Sequence, residues 1–145
     1  MTVLTCFLFS LACCAEEGSV KVTVISILAS EKEDHVDPRL KRIAAELRRA
    51  KELKKMTCFR LARSTAMSVE VGKSYKFRLV DDQWVNIKVD HGADANNKVS
   101  LTVKASKLGA ISYTTCCGKF FPIVTPHVTK DQERLIFCIM VKPCR

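Results

Sequence analysis

The chain has no run of apolar residues long enough to cross a bilayer as a helix. Such a span needs about 20 residues, and the longest stretch without a charged side chain is residues 1–15. Glycine and proline are scarce, at 5 and 4 of 145 residues. That excludes a collagen-like chain and a chain dominated by linkers. Tryptophan occurs once and tyrosine twice, and Trp84, Tyr75 and Tyr113 form no recognisable base-stacking motif. There is no C-x-x-C pair, so the usual framework for zinc is missing. A glycine-rich phosphate loop, a G-x-S-x-G elbow and an H-E-x-x-H helix are missing too. No cofactor, no metal and no catalytic residue is therefore expected. Acidic residues are also in deficit, 15 against 24 Lys and Arg, for a net charge of +9. The excess favours an anionic neighbour: an acidic envelope polymer, a membrane surface, nucleic acid or an acidic protein. Solubility alone is the bland explanation of the same number.

What remains is an ordinary globular composition, 48% hydrophobic and 27% charged. A chain of this length is read as one domain with a real core. Residues 1–15 have the layout of a secretory signal peptide, with a short apolar run at 3–12, small residues at 12–15 and the acidic pair Glu16-Glu17 after them. No Lys or Arg precedes the apolar run. Lipidation at Cys13 or Cys14 is a weaker reading, because neither is preceded by a fitting lipobox. The expected organisation is a signal peptide at 1–15 and a single α+β domain at 16–145. It implies a secreted or periplasmic protein.

The organising stretch of the mature chain is residues 20–53. Residues 20–29 are apolar on both faces, which places a strand in the middle of a sheet covered on both sides. Asp37 is a good N-cap and Pro38 a good first helical residue. Leu40, Ile43, Ala44 and Leu47 then recur at helical spacing, predicting one helix that runs to about residues 53–55. From residue 57 the period changes to two. Strands are expected at 57–63 and, briefly, at 68–71. Tyr75, Phe77 and Leu79 alternate with Lys76 and Arg78; Val85, Ile87 and Val89 with Asn86 and Lys88; Val99, Leu101 and Val103 with Lys98, Ser100, Thr102 and Lys104. This is an antiparallel meander with one face on the core and one in water. Residues 111–115 add a further strand. Residues 134–142 are again apolar on both faces and belong beside the first strand. The fold class is α+β: one helix packed on a mostly antiparallel sheet, with a sandwich-like β meander.

Residues 24–30, the segment Val36-Asp37-Pro38-Arg39-Leu40, residues 43–47, Phe59-Arg60-Leu61 and residues 118–124 together resemble a group of uncharacterised exported bacterial proteins, found in planctomycetes and, more divergently, in myxobacteria. The resemblance covers most of the mature chain through structural motifs. It implies a cell-envelope or secreted bacterial protein, and brings no activity and no site residues with it.

Three sets of residues could carry function. Lys76, Arg78, Lys88, Lys98 and Lys104 should share the solvent face of the meander and form a flat anion-binding platform; otherwise they keep an exposed sheet soluble. Residues 118–126 are strongly apolar and fenced by prolines. Lys119, Phe120, Phe121 and Ile123 form a candidate protein contact there, unless the run is an edge strand folded onto the core. Among the cysteines left after the leader, Cys58, Cys116, Cys117 and Cys144 are disulfide candidates, as export permits. Cys138 sits mid-strand and reads as an inert buried thiol. A cysteine nucleophile would need a histidine beside it, and the spacing of His35, His91 and His127 does not reveal one. The acidic loops at 31–37 and 90–97 lack the alternating ligands of a calcium loop and are explained by turns and caps. The expected function is thus an exported, non-enzymatic binding or structural domain of the cell envelope, whose partner is an envelope protein or an anionic polymer. Nucleic acid is not expected, no transmembrane segment is, and oligomeric state is left open. A small envelope enzyme with an unidentified site is the alternative.

Overall fold

The structure, a computed structural model, describes residues 18–143. The expected leader, with Cys13 and Cys14, and the disulfide candidate Cys144 lie outside the described residues. The described chain is mostly β-strand, with one short helix and two mostly antiparallel sheets. No described helix is long and apolar enough to cross a membrane.

Strand β1 (Ser19–Ser30) is the axis of the five-stranded sheet. On one side it pairs antiparallel with β9 (Arg134–Pro143), and on the other with β3 (Cys58–Glu70). The adjacency of first and last strands follows from their apolar faces, because only the middle of a covered sheet has room for both. Strand β2 (His35–Val36) adds to β3 in parallel, and β8 (Phe121–Val128) adds to β9. The sheet order is β2-β3-β1-β9-β8.

The predicted helix is broken into pieces. Asp37 does cap it, accepting the Arg39 N–H at 2.9 Å. A 3-10 turn at Pro38–Leu40 leads into α1 (Lys41–Leu47). The chain then unwinds at Ala50, which is extended, and closes with a second 3-10 turn at Lys51–Leu53. Packing explains the break. At 100° per residue, a continuous helix would place Leu53 well away from the stripe of Leu40, Ile43 and Leu47. Unwinding turns Leu53 back to the same cluster, where it is fully buried. The run of Arg48, Arg49, Lys51, Lys54 and Lys55 adds like-charge repulsion against a tight helix.

The two short strands expected at 57–63 and 68–71 are one strand, β3, with a bulge at Ala62: Ile27 pairs with Leu61 and Ser26 with Arg63. One extra residue reverses which face odd-numbered side chains occupy. Phe59 therefore packs with the helical unit, while Met67 and Val69 face the other way.

The second sheet is the meander: β4 (Ser74–Arg78), β5 (Trp84–His91), β6 (Lys98–Ala105) and β7 (Ala110–Cys116), in that order. Gly72, at φ 85°, lies in the turn from β3 into β4 and donates its N–H to Val89 O at 2.7 Å. Asp94 organises the β5–β6 turn by accepting the N–H groups of Asn96 and Lys98. Those bonds lower its carboxyl pKa. The acidic loop is thus turn chemistry, as expected.

Two cores result. One takes Leu40, Ile43, Leu47 and Leu53 against Ile27, Ala29, Phe59, Ile136 and Cys138. The larger draws Val22, Val24, Phe137 and Ile139 from the first sheet and Phe77, Ile87, Leu101 and Val103 from the second.

Candidate functional site

Cross-strand partners share a face, so the register of the meander decides which side chains gather. Lys76 lies opposite Asn86, and Asn86 opposite Lys104. Arg78 lies opposite Trp84, and Lys88 opposite Thr102. The five cations singled out in the sequence therefore occupy the polar face of this sheet, away from the buried row of Phe77, Val85, Ile87, Leu101 and Val103. They do not form one cluster. Lys76, Arg78, Lys88 and Lys104 lie within neighbouring rows. Lys98 is six residues along β6 from Lys104, about 20 Å at the strand rise. That exceeds the ~8 Å Debye length at physiological salt, so Lys98 acts apart from the rest.

The same face carries Trp84, opposite Arg78. The Lys76 ammonium sits over its ring at 4.8 Å. Residues 84, 86 and 88 share one parity, and that local signal would have placed Trp84 with the cations. Lys76, Arg78 and Trp84 line a shallow pocket of about 310 Å³ together with Asp81, Asp82 and Gln83. Beyond it run hydroxyl rows: Ser100 with Thr114 at 3.0 Å and Thr102 with Ser112 at 3.0 Å. Asp90 accepts from Thr102 at 2.5 Å and stands 3.9 Å from Lys88. Among the described residues, Lys76, Arg78 and Lys104 have no ion-pair partner. The face therefore combines three cations without an ion-pair partner among the described residues, hydroxyl rows and one indole with the carboxylates of Asp90, beside Lys88, and of Asp81 and Asp82 at the pocket.

Residues 118–126 are mostly strand β8, an edge strand whose side chains point both ways. Ile123 is buried in the larger core and is not a contact surface. Phe120 packs against the helical core. Phe121 stacks on Tyr113 with ring centroids 4.3 Å apart and stays 38% exposed. Of the four candidate contact residues, Lys119 and Phe121 are exposed. Lys119 and Phe120 instead line a cleft of about 460 Å³ against α1, with Arg42, Glu46, Met140 and Lys142.

The four described cysteines are free thiols in this structure. Cys138 is fully buried, and burial pushes its thiol up to about 12. Cys58 sits opposite Ser30 at one end of the first sheet. Gly118 is tied to Val141 at the other end, its N–H donating at 2.9 Å. Along β9 that separation is about 25 Å, so Cys58 bridges neither Cys116 nor Cys117, because a disulfide needs Cα atoms within about 7 Å. Cys58 does have His35 as its register partner across β2 and β3. The two line a cleft of about 310 Å³ with Lys32, Arg60, Asp131 and Glu133. There Arg60 pairs with Glu133 at 2.8 Å. Among the described residues, no group of His, Cys, Asp and Glu is arranged to hold a metal ion. No protein-family model, no curated protein and no solved structure matches the chain.

Proposed function

We propose that this chain is an exported, non-enzymatic binding domain that docks on an anionic polymer of the cell envelope through the polar face of β4–β6. In this reading the two sheets are the layers of a sandwich, the helical unit covers the far side, and the meander face is left to the ligand. The resemblance to uncharacterised exported planctomycete and myxobacterial proteins fits that setting. One observation carries the proposal: Lys76, Arg78, Lys88 and Lys104 gather on one face beside Trp84, and among the described residues only Lys88 of the four has a carboxylate, Asp90, in ion-pair range. Such a face attracts a polyanion and loses it as salt rises.

The test is retention on an anionic matrix at low salt. Reversing Arg78 and Lys88 to Glu should abolish retention and leave the fold intact. Reversing Arg42 and Arg49 changes the net charge equally on the helical unit, and should leave most of it. Equal losses in both variants would make the charge a diffuse whole-molecule effect and move the proposal to a protein partner at Phe121. Export is tested separately, by N-terminal sequencing of protein from the native host: Glu16 at the start supports it, and an intact Met1 in a cytoplasmic fraction overturns it.

A small envelope enzyme is the second reading, and the pairing of His35 with Cys58 favours it. A nucleophilic cysteine needs such a neighbour. Against it, Cys58 is only 9% exposed. The carboxylate of Glu133, which would orient the imidazole, is already engaged by Arg60.

A further inference from the structure

The described strands leave the two sheets with four edges, and three of them are guarded. Strand β2 is only 2 residues long. Strand β4 is 5 residues long and carries exposed Lys76 and Arg78. Strand β8 carries Pro122 and Pro126, and its register with β9 is irregular between Val124 and Val128. Short length, charge, proline and bulges are the devices that keep an edge from pairing with another chain. Strand β7 has none of them. Its 7 residues, Ala110-Ile111-Ser112-Tyr113-Thr114-Thr115-Cys116, include no charge and no proline. All of them pair with β6 without a register shift, from Lys98 with Cys116 to Lys104 with Ala110. Its far side is unpaired among the described strands.

We propose that β7 pairs antiparallel with β7 of a second copy of this chain, joining two meanders into one sheet. Charge restricts the contact to this edge, and self-complementarity selects the partner. Two molecules of net charge +9 repel, and β7 is the strip on which they meet with no like charges face to face. The strand is also self-complementary. With the two-fold axis at Tyr113, Ser112 of each copy lies opposite Thr114 of the other. That continues the hydroxyl rows already formed by Thr102 with Ser112 and Ser100 with Thr114. On the opposite face, Ile111 at 42% exposure and Phe121 stacked on Tyr113 form an apolar lip that pairing covers. A seven-residue ladder with this lip falls short of the ~1,200 Å² of tight complexes, so the dimer is weak and concentration-dependent. Pairing also sets two cationic faces edge to edge, doubling the surface offered to an extended polyanion. The pairing stands on the edge itself and not on that function.

Sedimentation velocity of the full chain over a concentration series, at low and at high salt, reads the equilibrium. A dimer that strengthens with salt is expected, because screening removes the repulsion between copies. Thr114→Lys places like charges diagonally across the joint and Ile111→Lys puts a charge into the apolar lip, and each should weaken the dimer roughly tenfold or more. Thermal melting checks that both variants fold; because both sites are exposed in the monomer, either alone suffices for the test. Hydrogen exchange should show amides of β7 gaining protection as concentration rises. A monomer at every concentration and salt overturns the proposal. So does a dimer that survives both variants, or β7 protection independent of concentration, which would assign the edge to another segment of the same chain.

Discussion

Ile27 and Phe137 show how little freedom a central strand leaves a side chain. Both are fully buried, one in each core. Ile27→Asp and Phe137→Asp should each prevent folding. An unpaired buried carboxylate costs several kcal/mol against a total stability of about 5–15. Lys88→Asp, on the solvated face, loses only a partly exposed ion pair with Asp90 and should cost no more than about 1 kcal/mol. Melting curves of the three variants check this. Cys138 adds a pH signature. Its thiol is raised from the ordinary value of 9.0 to about 12 by burial, so the folded state holds the proton longer than the unfolded chain. The contribution is complete below about pH 9 and is lost as pH rises toward about 12. Urea midpoints over that range should fall more steeply for the native protein than for Cys138→Ala, and alkylation of Cys138 should be slow until unfolding. Asp37 works in the opposite direction. The Arg39 guanidinium and N–H hold its carboxyl well below the usual range, so its contribution is present above about pH 4 and fades as pH falls through the lower folded value. Asp37→Asn, which still accepts the Arg39 N–H, should flatten that acid limb more than it lowers the melting temperature at neutral pH.

Among the elements, β3 and the helical unit carry the departures from local pattern. The bulge at Ala62 lets one strand serve the helical core with Phe59 and the larger core with Val69. Deleting Ala62 would restore regular alternation and turn one of those sets to the wrong face. The deletion should therefore abolish cooperative unfolding, while Ala62→Ser at the same exposed site should be near neutral, as followed by circular dichroism. Leu53 makes the companion case. It sits in a single 3-10 turn, yet Leu53→Ala should cost about 2–4 kcal/mol, the same range as Leu47→Ala, because both are fully buried in one cluster.

At the scale of the whole molecule, sulfur and charge are placed apart. Cys58 lies at one end of the first sheet, and Cys116 and Cys117 lie near Val141 at the other. If the protein is exported and oxidised, mass mapping should find any disulfide among Cys116, Cys117 and Cys144, with Cys58 recovered as a thiol. A bridge from Cys58 to Cys116 or Cys117 would contradict the strand order. The charge of +9 is spread over both sides of the molecule, with Arg42, Lys119 and Lys142 around the helical cleft and Lys76, Arg78 and Lys104 on the meander. Binding to a polyanion should weaken with salt while self-association strengthens, and the opposite slopes separate the two in one titration.

Local pattern determined much of this protein. Residues 20–29 and 134–142 are apolar on both faces, and that alone puts β1 and β9 together at the centre of a sheet. The alternation at 75–79, 85–89 and 99–103 draws the meander and its polar face, because in-and-out parity is a property of each strand by itself. Asp37-Pro38 announces a helix start for the same local reason. Tertiary structure decided the rest. The helix breaks at Ala50 because Leu53 must reach a core that other strands build. Ala62 bulges because β1 sets the register on both sides of it. Trp84 lies beneath Lys76, His35 beside Cys58, and Cys58 far from Cys117, because distance between residues remote in sequence depends on which strands pair. Parity is written in neighbours along the chain, whereas register and proximity are set by partners across it.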